Sequence, residues 1–318
     1  MKLAILGSAG MVGQEILTQL AAGAGPEVEA VLGYDLIETP APEGLSGVST
    51  SIVGSMTEAA KLEQVLDARP DAIIHLASIV SGEAETDFDK GYQVNFDATY
   101  ALLERIRALH MAEGYRPTFI FASSIAVFGP PFNFPVSDDY HLVPRTSYGT
   151  QQAMQELLVN DYTRRGFIDG LSIRLPTVCV RPGKANLAAS SFFSNIIREP
   201  LAGKPAILPV EPTVRYWFAS PPCAAGFFVH ALGLDLDALG QNRALTMPGV
   251  SATVGDQIAA LEQVAGKEVA ALITKQIDPM IETIVMGWPP GFTAERATAL
   301  GFKADDDFVD IIHKHLNR

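Results

Sequence analysis

The sequence predicts an α/β fold: a doubly wound parallel sheet followed by a smaller C-terminal α/β part. Three observations carry that expectation. Apolar β-type runs alternate with helical patterns through residues 1–175. A glycine-rich turn, Gly7-Ser8-Ala9-Gly10-Met11-Val12-Gly13, joins the first run to the first helical pattern. After Arg174 prolines cluster and long elements give way to short ones. Strands alternating with helices make right-handed crossovers, and these build a parallel sheet covered on both faces.

Taken in order, residues 3–6, 28–32, 72–76, 118–122 and 171–173 are short apolar runs of the kind that buried parallel strands show. Between them residues 11–22, 57–66, 87–109 and 148–164 carry helical spacing. Ser55 stands three residues before Glu58, the spacing of a capping box at the start of the second helix. Pro176, Pro182, Pro200, Pro205, Pro209 and Pro212 then mark loops and short elements. Residues 221–232 resume a helical pattern, 243–247 form a short strand, and 254–318 read as helices with one more short strand. The expected division gives residues 1–175 with 218–247 to the sheet domain, and 176–217 with 248–318 to the smaller one. Asp305-Asp306-Asp307 reads as a solvated, acidic helix start.

A chain of 318 residues, 48% hydrophobic and 19% charged, can bury an ample core. Its formal net charge of −13 argues against a nucleic acid or an anionic membrane surface as partner, since both would repel it. The longest apolar stretch, residues 224–234, is too short to cross a bilayer. The first strand starts at Lys2, so no leader peptide is expected, and the protein reads as cytoplasmic. Cys179 and Cys223 then read as reduced thiols. The six histidines make no metal-ligand pattern; His313 and His315, two apart, would point to different sides of a helix. No metal is expected.

The glycines of the first turn let backbone N–H groups approach a pyrophosphate at a helix N-terminus, where the helix dipole favours negative charge. Their spacing, Gly7-x-x-Gly10-x-x-Gly13, is a variant of the dinucleotide fingerprint, which makes the sheet Rossmann-type. Asp35 ends the second strand twenty-two residues past Gly13. A carboxylate there accepts from ribose hydroxyls and repels a 2′-phosphate, so NAD is expected over NADP. Ser124 lies at a strand end, where open α/β sheets bind ligands. Tyr148 follows twenty-four residues later at a helix start. A hydroxyl and a phenol so placed can share one substrate oxygen and move its proton.

On these residues, with His75-Leu76-Ala77 and Asn95, the chain resembles the extended short-chain dehydrogenases/reductases, the NAD-dependent epimerase/dehydratase family. Residues 77–85, 123–129, 174–184, 196–203 and 215–217 resemble the D-erythronate dehydrogenases within it, which oxidise a four-carbon sugar acid to its 2-keto form. The resemblance implies that Tyr148 is the general acid/base and that Ser124 polarises the reacting oxygen. It implies further that backbone at Gly10, Met11 and Val12 meets the pyrophosphate, with Gly7 and Gly13 shaping the turn. Ser55 and Met56 would lie beside the adenine, and Leu76, Ala77, Ser78 and Asn95 along the cofactor. Pro176 and Val178 would flank the nicotinamide carboxamide. A homodimer through helices beside the one bearing Tyr148 is implied as well.

Gln152 departs from the pattern, which has lysine four residues after the tyrosine. That lysine bonds the nicotinamide ribose and, by its charge, lowers the tyrosine pKa from about 10. Glutamine keeps the hydrogen bond but not the charge. Three readings follow: a slower enzyme, a cofactor-binding relative without turnover, or an introduced substitution. His75 is expected to pack within its strand.

Between Arg174 and Trp217 six cations (Arg174, Arg181, Lys184, Arg198, Lys204, Arg215) face two carboxylates, Glu199 and Glu211. In an acidic chain this local surplus suggests an anion-binding wall, and arginine suits bidentate carboxylate or phosphate recognition. Arg181, Lys184 and Arg215 are the candidates for a substrate anion, with Asn186 and Ser81 as polar partners. Arg174, at a strand end, suits a structural role equally. A sugar-acid dehydrogenase, a nucleotide-sugar epimerase or dehydratase, and an NAD-binding protein with impaired catalysis all remain open.

Overall fold

A computed structural model describes every residue except 46, 133, 184–189 and 318. The chain opens with β1 (Lys2–Leu6), α1 (Met11–Ala21), β2 (Ala30–Asp35), β3 (Val48–Val53), α2 (Ala59–Asp67) and β4 (Ala72–His75). Then come α3 (Ser81–Thr86), α4 (Phe88–Gly91), a π-helical turn at Tyr92–Asp97, α5 (Ala98–Glu113), β5 (Thr118–Ser124), α6 (Ser147–Arg164) and β6 (Asp169–Leu175). The remainder holds β7 (Thr177–Val178), α7 (Ser191–Leu201), β8 (Ala206–Leu208), β9 (Arg215–Ala219), α8 (Pro221–Ala231), β10 (Ala244–Thr246) and β11 (Val250–Thr253). It closes with α9 (Val254–Ala265), α10 (Lys267–Ala270), β12 (Ile273–Lys275), α11 (Pro279–Met286), α12 (Glu295–Ala299) and α13 (Phe308–Leu316).

Seven strands form one sheet in the order β10-β6-β5-β4-β1-β2-β3, every pair parallel. The chain winds outward from β1 in one direction and from β4 in the other. Between those strands lies the switch point, and ligands bind at the carboxyl ends of the strands there. Ala4, Ile5 and Leu6 of β1 and Ile73 and Ile74 of β4 are fully buried, as central parallel strands require. Ile16 and Leu17 of α1 pack with Phe227 and Phe228 of α8 on one face of the sheet. Val65 of α2 and Leu102, Leu103 and Ile106 of α5 cover the other. The residues before and within each helix face thus recur at helical spacing, so that one stripe meets the sheet.

A third apolar cluster sits over the carboxyl end of the sheet. Phe193 of α7 stacks on Tyr216 (5.4 Å, 8°) and meets the edge of Phe218 (5.0 Å, 80°), both from β9. Ile125, Val127 and Phe128, directly after β5, belong to the same cluster. A three-stranded sheet, β11-β9-β7, carries it.

Some elements differ from the sequence reading. The strand β3 was not anticipated, because an edge strand rich in Ser49, Thr50 and Ser51 lacks the apolar run that marks a buried one. The expected helix 87–109 is interrupted by the π turn, which buries Asn95. At Ser55 half of the capping box forms: Glu58 Oε1 accepts from Ser55 N (2.7 Å), while Ser55 Oγ turns to Thr57, and α2 begins only at Ala59. The full box stands at α9, between Thr253 and Asp256. Asp305 corrects the acidic-start reading. It is buried, accepts from Ser220 N (2.8 Å) and Ser220 Oγ, and pairs with Lys314 (2.8 Å). Only Asp307 caps α13.

Among the described residues no helix is long and apolar enough to cross a membrane. Cys179 and Cys223 are free thiols.

Arg174 of β6 is structural. Its guanidinium forms a bidentate pair with Glu156 of α6 (Nε–Oε1 2.9 Å, Nη2–Oε2 2.7 Å), with side-chain exposures of 6% and 3%. Ser123 of β5 donates to the same carboxylate (2.5 Å). Removing one partner of such a pair strands a buried charge, whereas removing both does not. Arg174→Met should therefore lower the unfolding free energy by about 3–5 kcal/mol, and Arg174→Met with Glu156→Leu should cost much less. Denaturant titration of both variants checks this; equal losses would remove the ion pair from the account.

Candidate active site

The site begins at the turn after β1. Gly7 has φ +89°, and a side chain there would drive its Cβ to 2.8 Å from Ala77 N. The close approach brings the β4 exit, Leu76 and Ala77, against the turn, with Leu76 N donating to Leu6 O (2.8 Å). Gly10 is the N-cap of α1, and Gly13 is buried in its first turn. The first amides of α1, at Met11 and Val12, have no intrahelical acceptor and face whatever binds there. Asp35 closes the turn from β2: Oδ2 accepts from Ala9 N (2.9 Å) and Oδ1 from Leu36 N (2.7 Å). Beside it the hydroxyl of Tyr34 donates to Ser55 O (2.7 Å), and Met56 is buried. Burial pushes the Tyr34 phenol up to about 12, with Glu58 adding to the rise.

Beyond β4 the chain exposes Ser78 and then runs past Ile79 to half-buried Ser81, the first residue of α3. Asn95 fixes this loop. Its Oδ1 accepts from Ile79 N (2.8 Å), and its Nδ2 donates to Ile79 O (3.2 Å) and to Gln151 Oε1 of α6 (2.8 Å). The side chain is committed to the loop and to α6, so it shapes the site from behind.

At the end of β5, strand alternation separates two serines. Ser123 turns inward to Glu156, and Ser124 turns to the site, where its Oγ accepts from Ala126 N (3.1 Å). Thr146 caps α6 by accepting from Gly149 N (3.0 Å). A Cβ on Gly149 would lie 2.2 Å from Ala126 O, so the helix start is pressed against the turn that follows Ser124. That contact brings Tyr148 beside Ser124. Enclosure raises the Tyr148 pKa above 10, while polar contacts with Gln152, Ser124 and Ser78 and the charge of Arg181 pull against the rise. Gln152, one helical turn on, is fully buried. Its Oε1 accepts a long bond from Gln155 (3.5 Å), and among the described residues its Nε2, near the Tyr148 phenol, makes no hydrogen bond of good geometry.

The far wall runs from Pro176 to Arg181. Pro176 and Val178 are buried. Arg181 Nε donates to Val178 O (3.0 Å), and the guanidinium interacts with Tyr148, Tyr216 and Cys179. Burial pulls its pKa below the usual arginine range, with Cys179, Tyr148 and Tyr216 pulling against the fall. Among the described residues no carboxylate pairs with it, whereas the other arginines of the basic segment are engaged. Arg174 holds Glu156, Arg198 holds Glu199 (2.8 Å) and Asn195, and Arg215 lies 3.8 Å from Asp256.

Arg215 does not join the cluster. It is exposed and bonds Ser251 O (3.2 Å). Its neighbour on β9, Tyr216, takes the opposite face and meets Arg181 and Thr177. Tyr216 escaped the sequence reading, although strand parity alone assigns Arg215 and Tyr216 to opposite faces. Lys184 and Asn186 lie outside the described residues. His75 is a core histidine: Nε2 bonds Thr99 Oγ1 (2.8 Å), Phe119 and Phe121 flank the ring, and burial lowers its pKa to about 4.

Comparison with known proteins agrees with this architecture. The chain is 42% identical over 321 residues to the D-erythronate dehydrogenase of Cupriavidus necator, covering 99% of this chain and 98% of that protein. It is 39% identical over 316 residues to the D-erythronate dehydrogenase of Haemophilus influenzae, covering 99% of each. Its fold is similar to the crystal structure of the nucleoside-diphosphate-sugar epimerase from Agrobacterium tumefaciens, with a TM-score of 0.95 and 50% identity over 100% of this chain and 94% of that one. The model of the NAD dependent epimerase/dehydratase family matches residues 3–217, and the chain belongs to that family.

Proposed function

We propose that this protein is an NAD-dependent dehydrogenase that oxidises a hydroxyl of a small sugar acid, of the D-erythronate kind, to the 2-keto acid. Two relatives of that name match it over nearly the full length. The observation that carries the reading is the convergence of Ser124, Tyr148 and one buried guanidinium, Arg181, that lacks a carboxylate partner among the described residues.

The residues present fit the cofactor. The glycine turn offers the α1 amides to a pyrophosphate, Asp35 borders the place for the adenosine ribose, and the unpartnered Nε2 of Gln152 is a donor suited to a ribose hydroxyl. Ser55 and Met56 border the adenine end; Leu76, Ala77 and Ser78 line the middle; Pro176 and Val178 close the nicotinamide end. Bound NAD supplies the acceptor for the hydride. The protein moves the proton. Ser124 donates to the substrate oxygen and holds it beside Tyr148, whose phenolate takes the hydroxyl proton. Arg181 anchors the carboxylate and so fixes which carbon faces the cofactor. Ser81 is the polar partner on the substrate side among the described residues.

A nucleotide-sugar reading draws on the name of the Agrobacterium structure. A diphosphate asks for several free cations, and the described part of the basic segment offers Arg181 with its other arginines engaged. A homodimer through α5 and α6 suits the exposed Tyr100, Met111 and Leu157. Following NADH absorbance over four- to six-carbon sugar acids tests the reading, and tight binding of UDP- or dTDP-sugars without such turnover would replace it.

Three outcomes are expected. Tyr148→Phe should nearly abolish oxidation while calorimetry finds NAD affinity little changed. Gln152→Lys should act on pH dependence: the phenolate is the active form, burial raises its pKa, and a nearby cation lowers it. The rise of kcat with pH should then move to lower pH, with faster turnover at neutrality; an unmoved profile would detach Gln152 from the proton transfer. Asp35→Ala should weaken NAD and narrow its advantage over NADP, and equal binding of both cofactors by the unaltered protein would remove Asp35 as the discriminator.

A further inference from the structure

Ser81-Gly82-Glu83-Ala84-Glu85 forms the first five residues of α3, and no step of the proposed reaction uses its carboxylates. Its last three side chains each engage a different neighbour. Glu83 pairs with Lys90 of α4 (2.6 Å). Ala84 is fully buried, and a Cβ on Gly91 would meet the Ala84 side chain at 3.3 Å and Gln151 Nε2 of α6 at 2.8 Å, so α3, α4 and α6 are in close contact there. Glu85 reaches the start of α6 itself, where its Oε2 accepts from Ser147 N (2.9 Å).

We propose that Glu85 is a positioning residue for the reaction: it fastens the short helix that carries Ser81 to the first amide of the helix that carries Tyr148. The role rests on reading Tyr148 as the proton acceptor and Ser81 as lying on the substrate side.

The first amides of a helix have no acceptor within it. In α6 two of them are taken up by side chains of different origin. Gly149 N donates to Thr146 Oγ1 (3.0 Å), the helix's own cap, whereas Ser147 N donates to Glu85, 62 residues back in the chain. Tyr148 lies between these two residues, so its backbone is bracketed by one local bond and one long-range bond. A carboxylate suits the outer position, because the positive end of the helix dipole favours an anion.

The segment before α3 has a second tie to α6. Asn95 accepts from Ile79 N (2.8 Å) and donates to Gln151 Oε1 (2.8 Å). Residues 79–85 are thus held to α6 at both ends, by Asn95 at Ile79 and by Glu85 directly, and Ser81 sits between the two ties. A helix of six residues has little stability of its own, so contacts of this kind set its place. Without Glu85 the segment keeps the Ile79 tie and is free to pivot about it. Glu85 is exposed, so its removal should leave the stability of the fold nearly unchanged, whereas a reaction is sensitive to small displacements of its groups.

The test compares the NAD-bound unaltered protein with Glu85→Ala and Glu85→Gln. Glu85→Ala should lower kcat for the sugar acid roughly tenfold, short of the ~100-fold that a displacement of about 1 Å costs. NAD affinity by calorimetry and the melting temperature should change little. Hydrogen exchange read by mass spectrometry should quicken together at Ser147 and at the amides of Ala84 and Asp87. Glutamine offers a carbonyl oxygen to the same amide, so Glu85→Gln should recover most of kcat and of the protection. An unmoved kcat in Glu85→Ala, or unmoved exchange at either segment, overturns the proposal. So does Glu85→Gln as slow as Glu85→Ala, which would assign the effect to charge instead of place. A parallel fall in NAD affinity would make Glu85 a support of the cofactor cleft and overturn it as well. Retained activity in Tyr148→Phe would fail the proton-acceptor reading, and the exchange rates would still decide whether Glu85 ties α3 to α6.

Discussion

The arrangement of this protein depends on one buried ion pair. Glu156 and Arg174 join α6 to β6, and Ser123 ties the same carboxylate to β5. Three elements are thereby set against one another two helical turns from Tyr148. A hydrophobic contact of equal area would hold them together but would tolerate rotation of the helix. Charge-assisted bonds in bidentate geometry do not, because a few tenths of an ångström break them. The phenol therefore inherits its position from a pair that never meets the substrate.

The same helix face explains why the site is electrostatically unusual. Gln151, Gln152, Gln155 and Glu156 are all buried on α6, a polar stripe where most helices place aliphatic residues. Gln151 is partly satisfied by Asn95, and Asn95 in turn holds Ile79. Among the described residues, the Nε2 atoms of Gln151 and Gln152 have no hydrogen-bond partner. Buried donors left unmade cost free energy, about 1–3 kcal/mol each. A chain that carries such donors beside a ligand cleft gains most when a ligand accepts from them. Stability and cofactor binding are in this respect one property.

Much of the frame is legible in the sequence because its signals are local. Gly7, Asp35, Ser124 and Tyr148 each sit at a strand end or helix start, and the sheet brings strand ends together wherever the chain alternates regularly. What the sequence obscures is pairing over long separations. Asp305 reads as solvated until Ser220, eighty-five residues away, is seen to bond it. Arg215 and Arg181 look equivalent as cations; only the parity of β9 and the Asp256 carboxylate beside Arg215 separate them. The polar edge strand β3 carries too little apolar signal to be distinguished from a loop. The fold is thus written mainly in periodicity, and the site in periodicity plus counter-ions that no window of sequence contains.

The π-helical turn at Tyr92–Asp97 bears on how this chain can change. Each residue of a regular helix advances the screw by about 100°, so an extra residue held in a wider turn is a stored rotation. It aims Asn95 at Ile79 while α5 still presents Leu102, Leu103 and Ile106 to the sheet. Loss of one residue from this turn would leave a smooth helix of ordinary composition with every downstream side chain turned off its face. An insertion or deletion here would act as a gear change, whereas a point replacement within the turn would leave the downstream faces where they are.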